Sequence, residues 1–228
     1  MAAPSEWIET ARQWQTLIAS CIAVLAAMVA WYNTTRTLRA SANLEAKRRL
    51  QKRAALRAVL PLALSEINSY CSLTARALQN LWDECVEGAL PKDAAKPTLP
   101  DMPAETIQVF ADFIEYSDDL DTTIVRWLLA RLQVSRARIR EIELAIETTD
   151  QNAIILETNL EEYILDVAAI YAAAGSAFDY GREKSHSLPK EISWDHVRTA
   201  LRNMKIWDDD MEGLYATITR REIDGLTP

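Results

Sequence analysis

Twenty-three consecutive residues between Arg12 and Arg36 carry no formal charge. At about 1.5 Å of rise per residue that stretch would make roughly 34 Å of helix, against a bilayer hydrocarbon core of about 30 Å. Its apolar centre runs from Leu17 to Ala30, with Trp14 at one end and Trp31 and Tyr32 at the other. In lipid a lone segment has to satisfy its own backbone hydrogen bonds, so it can cross only as a helix. Amphipathic aromatics at both ends suit the two interfaces. The pattern predicts a short tail over residues 1–14 and a transmembrane helix over 15–33, anchored by Trp14, Trp31 and Tyr32. Two kinds of segment could mimic it. A cleaved signal peptide needs a basic start and a small-residue cleavage site, whereas this leader carries Glu6, Glu9 and Arg12, and Ala30 has bulky Met28 two residues before it. A buried core helix of a soluble domain is the second, kept open by the modest length and the alanine content.

The flanks set an orientation. Past the span come Arg36, Arg39, Lys47, Arg48, Arg49, Lys52, Arg53 and Arg57, opposed only by Glu45, while Arg12 alone precedes it. Excess Lys and Arg belong on the cytoplasmic side. The expected location is therefore a cell (inner) membrane, with the N-terminus outside and the C-terminal part in the cytoplasm. Residues 34–58 form a basic juxtamembrane helix, and residues 59–228 carry 16 bases and 30 acids. So acidic a body repels nucleic acid, which is not expected as a partner. The collar sets topology and can also meet anionic headgroups, at about 1 kcal/mol per base near the surface, or an acidic protein. Cys71 and Cys85 would stand about 21 Å apart along one helix, too far for a disulfide, so reduced thiols are expected.

Five glycines in 228 residues and no sustained two-residue alternation leave a helical signal throughout. The first helix should continue through the collar to about Glu87, with a kink admitted at Pro61 and Gly88 as its stop. Within it Leu60, Leu64, Ile67, Cys71, Thr74, Leu78, Leu81 and Cys85 alternate at four and three residues, the spacing of a packed seam. Residues 88–103 contain Gly88 and four prolines and read as a helix-free linker, extended or packed. Further helices are expected at about 104–116, at about 118–147 with Asp118 or Ser117 as its cap, and from Asp150 to Tyr180-Gly181. Two more run from a Ser193 cap to about Ile206, and from Met211 to Gly225. Matching apolar seams and short loops predict an all-α fold, the anchor helix leading into an antiparallel, coiled-coil-like helical bundle over 59–228.

Chemistry is sparse. His186 and His196 have no Cys or second His beside them, Ser193 and His196 fit a helix cap, and no glycine-rich phosphate loop occurs. The acids at 118–121 and 208–210 suit helix starts, and Glu161-Glu162 suits a solvated face. No enzyme, metal, cofactor or small-molecule substrate is expected. Ala19, Ala23 and Ala27 recur every four residues and would let two spans approach closely. Of Trp127, Trp194 and Trp207, the last precedes three aspartates and is the expected partner contact. Together these point to a membrane-anchored interaction or scaffolding module that meets the bilayer and a protein partner or further copies of itself. The rivals are a membrane-perturbing protein of the spanin or holin kind and a membrane-coupled sensor. A spanin would need the bundle outside, against the charge flanks.

Overall fold

The computed structural model describes residues 4–117, 119–148 and 154–228, and their side chains except at 4–13, 16, 119–121 and 148. The fold is all-helical: α1 Pro4–Asp83, α2 Ala104–Tyr116, α3 Asp119–Thr148, α4 Glu157–Gly181, α5 Trp194–Asn203 and α6 Glu212–Ile223. It divides into two units, Met1–Gln51 and Lys52–Pro228. Among the described residues the only β-type pairing is a pair of isolated bridges, Val86 with Ala89 and Ala89 with Leu156.

In the second unit the seam expected on α1 is buried at Leu60, Leu64, Ile67, Cys71, Thr74, Leu78 and Leu81, and Cys85 packs against its end. A helix that hides one residue every three or four is held by its neighbours rather than by its own propensity. Those neighbours centre on α4, which packs against α3, α5 and α6. Its inner faces are small: Ala168, Ala169, Ala172, Ala173, Ala174 and Ala177 are all buried, with Ile164, Val167 and Ile170 among them. Alanine costs no side-chain entropy and admits neighbouring helices closely. From α2 come Phe110 and Phe113, the latter edge-on to Tyr180 with ring centroids 6.0 Å apart. From α3 come Ile124, Leu128, Leu132, Ile139 and Ile142, and from α6 and its N-cap come Met211, Leu214, Tyr215 and Ile218.

Several helix ends differ from the sequence expectation, each for a local reason. α1 runs through Pro61 but stops at Asp83, short of Glu87. Glu87 and Gly88 take φ of 53° and 80°, and Val86 and Ala89 exchange both backbone bonds at 2.9 and 3.2 Å. Positive φ at both central residues is the type I′ hairpin geometry, so Gly88 closes a tight turn instead of a helix. The start of α4 at Glu157 depends on the same turn. Leu90 N–H donates to Ile155 C=O at 2.8 Å and Glu157 N–H to Gly88 C=O at 3.0 Å, which holds Ile155 and Leu156 outside the helix. Leu156, expected inside the helix, is its N-cap and 44% exposed; Asp150, expected to open it, lies outside the described residues. So does Asp118, while Ser117 is the C-cap residue of α2, with its Oγ buried and without a partner. The Ser193 cap is present as a full capping box with His196. α5 ends at Asn203 rather than near Ile206, because Lys205 turns at φ 66° and Ile206 N–H closes back on Leu201 C=O at 3.0 Å.

The proline-rich segment is helix-free as expected and lies packed. Leu90 is buried, Ala94, Leu99 and Met102 rest on the core, Ala95 N–H donates to Glu84 at 3.2 Å, and Lys96 pairs with Glu147.

Candidate membrane span and basic collar

A helix folds against its own chain only where it has an apolar face to hide. Within the first unit there is none hidden: Leu17, Ile18, Ile22, Val24, Leu25, Met28 and Val29 are each more than half exposed. Leaving seven such side chains in water forgoes about 10–20 kcal/mol relative to burial. Among the described residues α1 is the one helix long and apolar enough to cross a membrane, and none of its apolar window is buried. This segment is therefore not a buried core helix of the fold. The three aromatics expected at its ends are outward, Trp14 at 64%, Trp31 at 75% and Tyr32 at 65% exposure. Ala19, Ala23 and Ala27 are also exposed, as is the free Cys21.

The hydroxyl residues beyond the aromatics satisfy themselves within the helix. Thr34 Oγ1 donates to Ala30 C=O at 2.8 Å, Thr35 to Trp31 and Tyr32, Thr37 to Asn33 and Thr34, and Ser41 to Leu38 at 2.9 Å. Hydroxyls bonded back to their own turn leave no donor of their own unpaired.

The structure splits the collar. Arg36, Arg39, Lys47, Arg48 and Arg49 are exposed, and among the described residues no ion pair engages them. Lys52 reaches the bundle instead, 4.0 Å from Asp112 and 5.8 Å from the Tyr116 ring centroid. Arg53 is half-buried. Arg57 is fully engaged in the second unit: Nε donates to Tyr180 C=O at 2.8 Å, Nη2 to Ser185 C=O at 2.6 Å, and the guanidinium lies 4.2 Å from the Tyr180 ring centroid. Tyr180 C=O lies in the last turn of α4, at the negative end of the dipole, where it also accepts from Glu183 N–H at 3.1 Å, and Ser185 C=O lies just beyond it. Arg57, read from the sequence as a membrane-surface base, is therefore the cap of the bundle's central helix. Beside it the absence of a Cβ at Gly181 lets the Pro61 ring come close, its Cγ only 2.9 Å from where that atom would stand. Proline in mid-helix is costly through its ring and its missing N–H, and here that ring is an interface.

The bundle's polar groups serve packing. Arg131 and Arg138 converge on Asp166 while lying over the rings of Trp127 and Tyr163. Glu161 and Glu162, expected on a solvated face, are both half-buried. Glu162 takes Arg221 at 2.5 and 2.6 Å, whereas the Glu161 carboxylate occupies the space a side chain at Gly213 would need, 2.6 Å from an ideal Cβ there. Burial, and then the neighbouring Glu157 charge, push the Glu161 carboxyl above the usual range. The Cys71 thiol is raised by burial alone, and that of Cys85 mainly so. Ser193 N–H donates to His196 Nδ1 at 3.1 Å and Ser193 Oγ accepts from the His196 backbone N–H at 3.4 Å, which occupies both groups in the cap. No group of three His, Cys, Asp or Glu among the described residues is placed to hold a metal.

Trp127 packs on the core, and Trp194 is buried with its indole N–H donating to Leu226 C=O at 2.7 Å. Trp207 is 51% exposed and heads an exposed turn, Asp208 to Asp210. No protein-family model matches this sequence, and neither curated proteins nor solved structures yielded a match.

Proposed function

We propose that the chain is a single-pass membrane protein with its N-terminus outside, presenting the helical bundle at the cytoplasmic face as an interaction or scaffolding module. The observation that carries this is the contrast between the two units. The first exposes every described side chain of a membrane-length apolar segment and then five unpaired bases; the second closes its own core and leaves Trp207 and a set of acids outside. A base-rich flank beyond the span favours the cytoplasm for the bundle it joins. The groups an enzyme would need, His196, Ser193 and the Glu161–Glu162 pair, are engaged in capping and helix contacts, so binding is the activity this reading assigns.

The full-length chain, extracted from membranes in mild detergent, should elute with a defined protein partner or as a discrete oligomer by light scattering. A lone monomer with nothing bound would sink the interaction reading, and recovery in the soluble fraction would sink the anchor. Orientation has its own test. In intact cells a membrane-impermeant maleimide should label Ala3→Cys and spare Ser187→Cys, and the opposite pattern would reverse the topology.

A further inference from the structure

The five free bases of the first unit stand at two heights. Arg36 and Arg39 lie four and seven residues past Tyr32, about 6 and 10 Å along the helix. Lys47, Arg48 and Arg49 lie fifteen to seventeen residues past it, about 22–26 Å along. The headgroup layer is only about 5–8 Å thick on each side, and a typical tilt of about 20° shortens these heights by under about 2 Å. The field of an anionic surface decays over about 8 Å at physiological ionic strength. Arg36 and Arg39 thus reach headgroups, while the upper three stand about 14–21 Å beyond the headgroup layer, roughly two screening lengths.

The helix cannot lie down to bring them closer. Neither Gly nor Pro interrupts residues 34–60. Leu38, Leu44 and Leu50 are each exposed and six residues apart, which at about 100° per residue puts them on three different sides. There is no apolar face to press into a membrane. Nor are the three bases neutralised at home: Glu45 sits one turn before Arg49, yet no ion pair joins them. Adjacent like charges on one turn repel, and that cost is offset when an acidic surface is docked.

We infer that Lys47, Arg48 and Arg49 form a docking site for the acidic body of a second copy of this chain. The inference rests on the anchored reading, because anchoring holds every copy in one plane and on one side. Each neighbouring copy then presents residues 59–228, with 30 acids against 16 bases, on the same side of the membrane as these bases. Two of the three bases are arginines, which bind carboxylates in bidentate fashion.

Full-length protein in a neutral mild detergent, free of lipid, tests this by light scattering and sedimentation across concentration. Wild type should self-associate, and the triple variant Lys47→Glu, Arg48→Glu, Arg49→Glu should do so at least tenfold more weakly. The exchange Lys47→Arg, Arg48→Lys, Arg49→Lys should keep association, and raised salt should loosen wild type but not the reversed variant. The reversed variant should bind vesicles of anionic phospholipid as wild type does. Unaltered association of the triple variant would overturn the inference while leaving the anchored module standing. So would a loss confined to vesicle binding, or loss of a different acidic protein with self-association intact. Failure of wild type to enter the membrane fraction would overturn the anchored reading first, and this inference with it.

Discussion

Arg57→Ala separates a base that holds the bundle from bases that face outward. In the folded chain the guanidinium makes two charge-assisted hydrogen bonds, to Tyr180 C=O at 2.8 Å and Ser185 C=O at 2.6 Å, and lies 4.2 Å from the Tyr180 ring centroid. Hydrogen bonds to a charged group contribute about 1.5–3 kcal/mol each when buried, a helix C-terminus adds about 0.3–1 for a cation, and the ring about 0.5–1. Arg57 is half-buried, and contributions sharing one side chain do not add, so even the low ends, about 4 kcal/mol together, are an upper bound and the loss should be about 2–3 kcal/mol. For a body of this size that is a fall of about 5–10 °C in Tm. Thermal unfolding of the full-length protein in mild detergent, followed by tryptophan emission, reads it. Arg57→Lys should fall between, since lysine supplies a point charge without the planar fork. Arg39→Ala, on an exposed residue outside the upper basic cluster, should stay within about 0.5 kcal/mol. If Arg57→Ala unfolded within about 1 °C of Arg39→Ala, the capping role would be refuted.

Gly181→Ala should cost about 1–2 kcal/mol, the overpacking against Pro61 exceeding the helix-propensity gain of alanine. Pro61→Ala in the same background should recover part of that loss, and a cycle without coupling would refute the contact. Glu161 holds its proton more tightly folded than unfolded, so stability falls as pH rises from the ordinary glutamate pKa of about 4.3 through the higher folded value. Glu161→Gln should therefore raise the urea midpoint at pH 7 and lose that advantage below about pH 4; a stabilisation that persists in acid would assign it to packing. The buried Cys71 thiol should resist a maleimide until urea unfolds the bundle, and Cys85 should react more slowly than an ordinary thiol. Prompt labelling of Cys71 in the native protein would mean the seam opens.

What the sequence makes legible here is whatever repeats locally. Seven of the eight side chains picked out by the four-three spacing on α1 are buried, and the eighth, Cys85, lies just past the helix and half-buried, because a seam is a property of one helix. Ser193 announced its own cap for the same reason. Long-range contacts left no such mark. Gly88 read as a helix stop and proved to be half of a turn that reaches Glu157 and, through Leu90, Ile155, which moved the start of α4. Arg57 looked like its seven basic neighbours, and only the fold brings Tyr180 and Ser185 to it across more than 120 residues. Glu161 and Glu162 looked solvated because Arg221 and Gly213 approach from a helix some fifty residues away. Pro61 and Gly181 each suggested local backbone behaviour, whereas their joint role is a close approach between two helices.

Ala19, Ala23 and Ala27 pose the remaining question, whether the span itself associates. Four residues turn a helix by about 400°, so the three drift by only about 40° per step and stay on one side. Every one is exposed, along with the larger side chains around them. In lipid there is no hydrophobic gain from pairing spans, and association depends on how closely backbones approach. A leucine at the centre of the stripe would hold two helices apart, so Ala23→Leu should lower the signal of a membrane-helix association reporter carrying residues 12–36 severalfold. Leu25→Ala, about 200° away around the helix, should leave it unchanged. Equal signals from wild type and Ala23→Leu would show that the alanines merely fill the span, and any self-association of the chain would then have to arise from the charged segments beyond Tyr32.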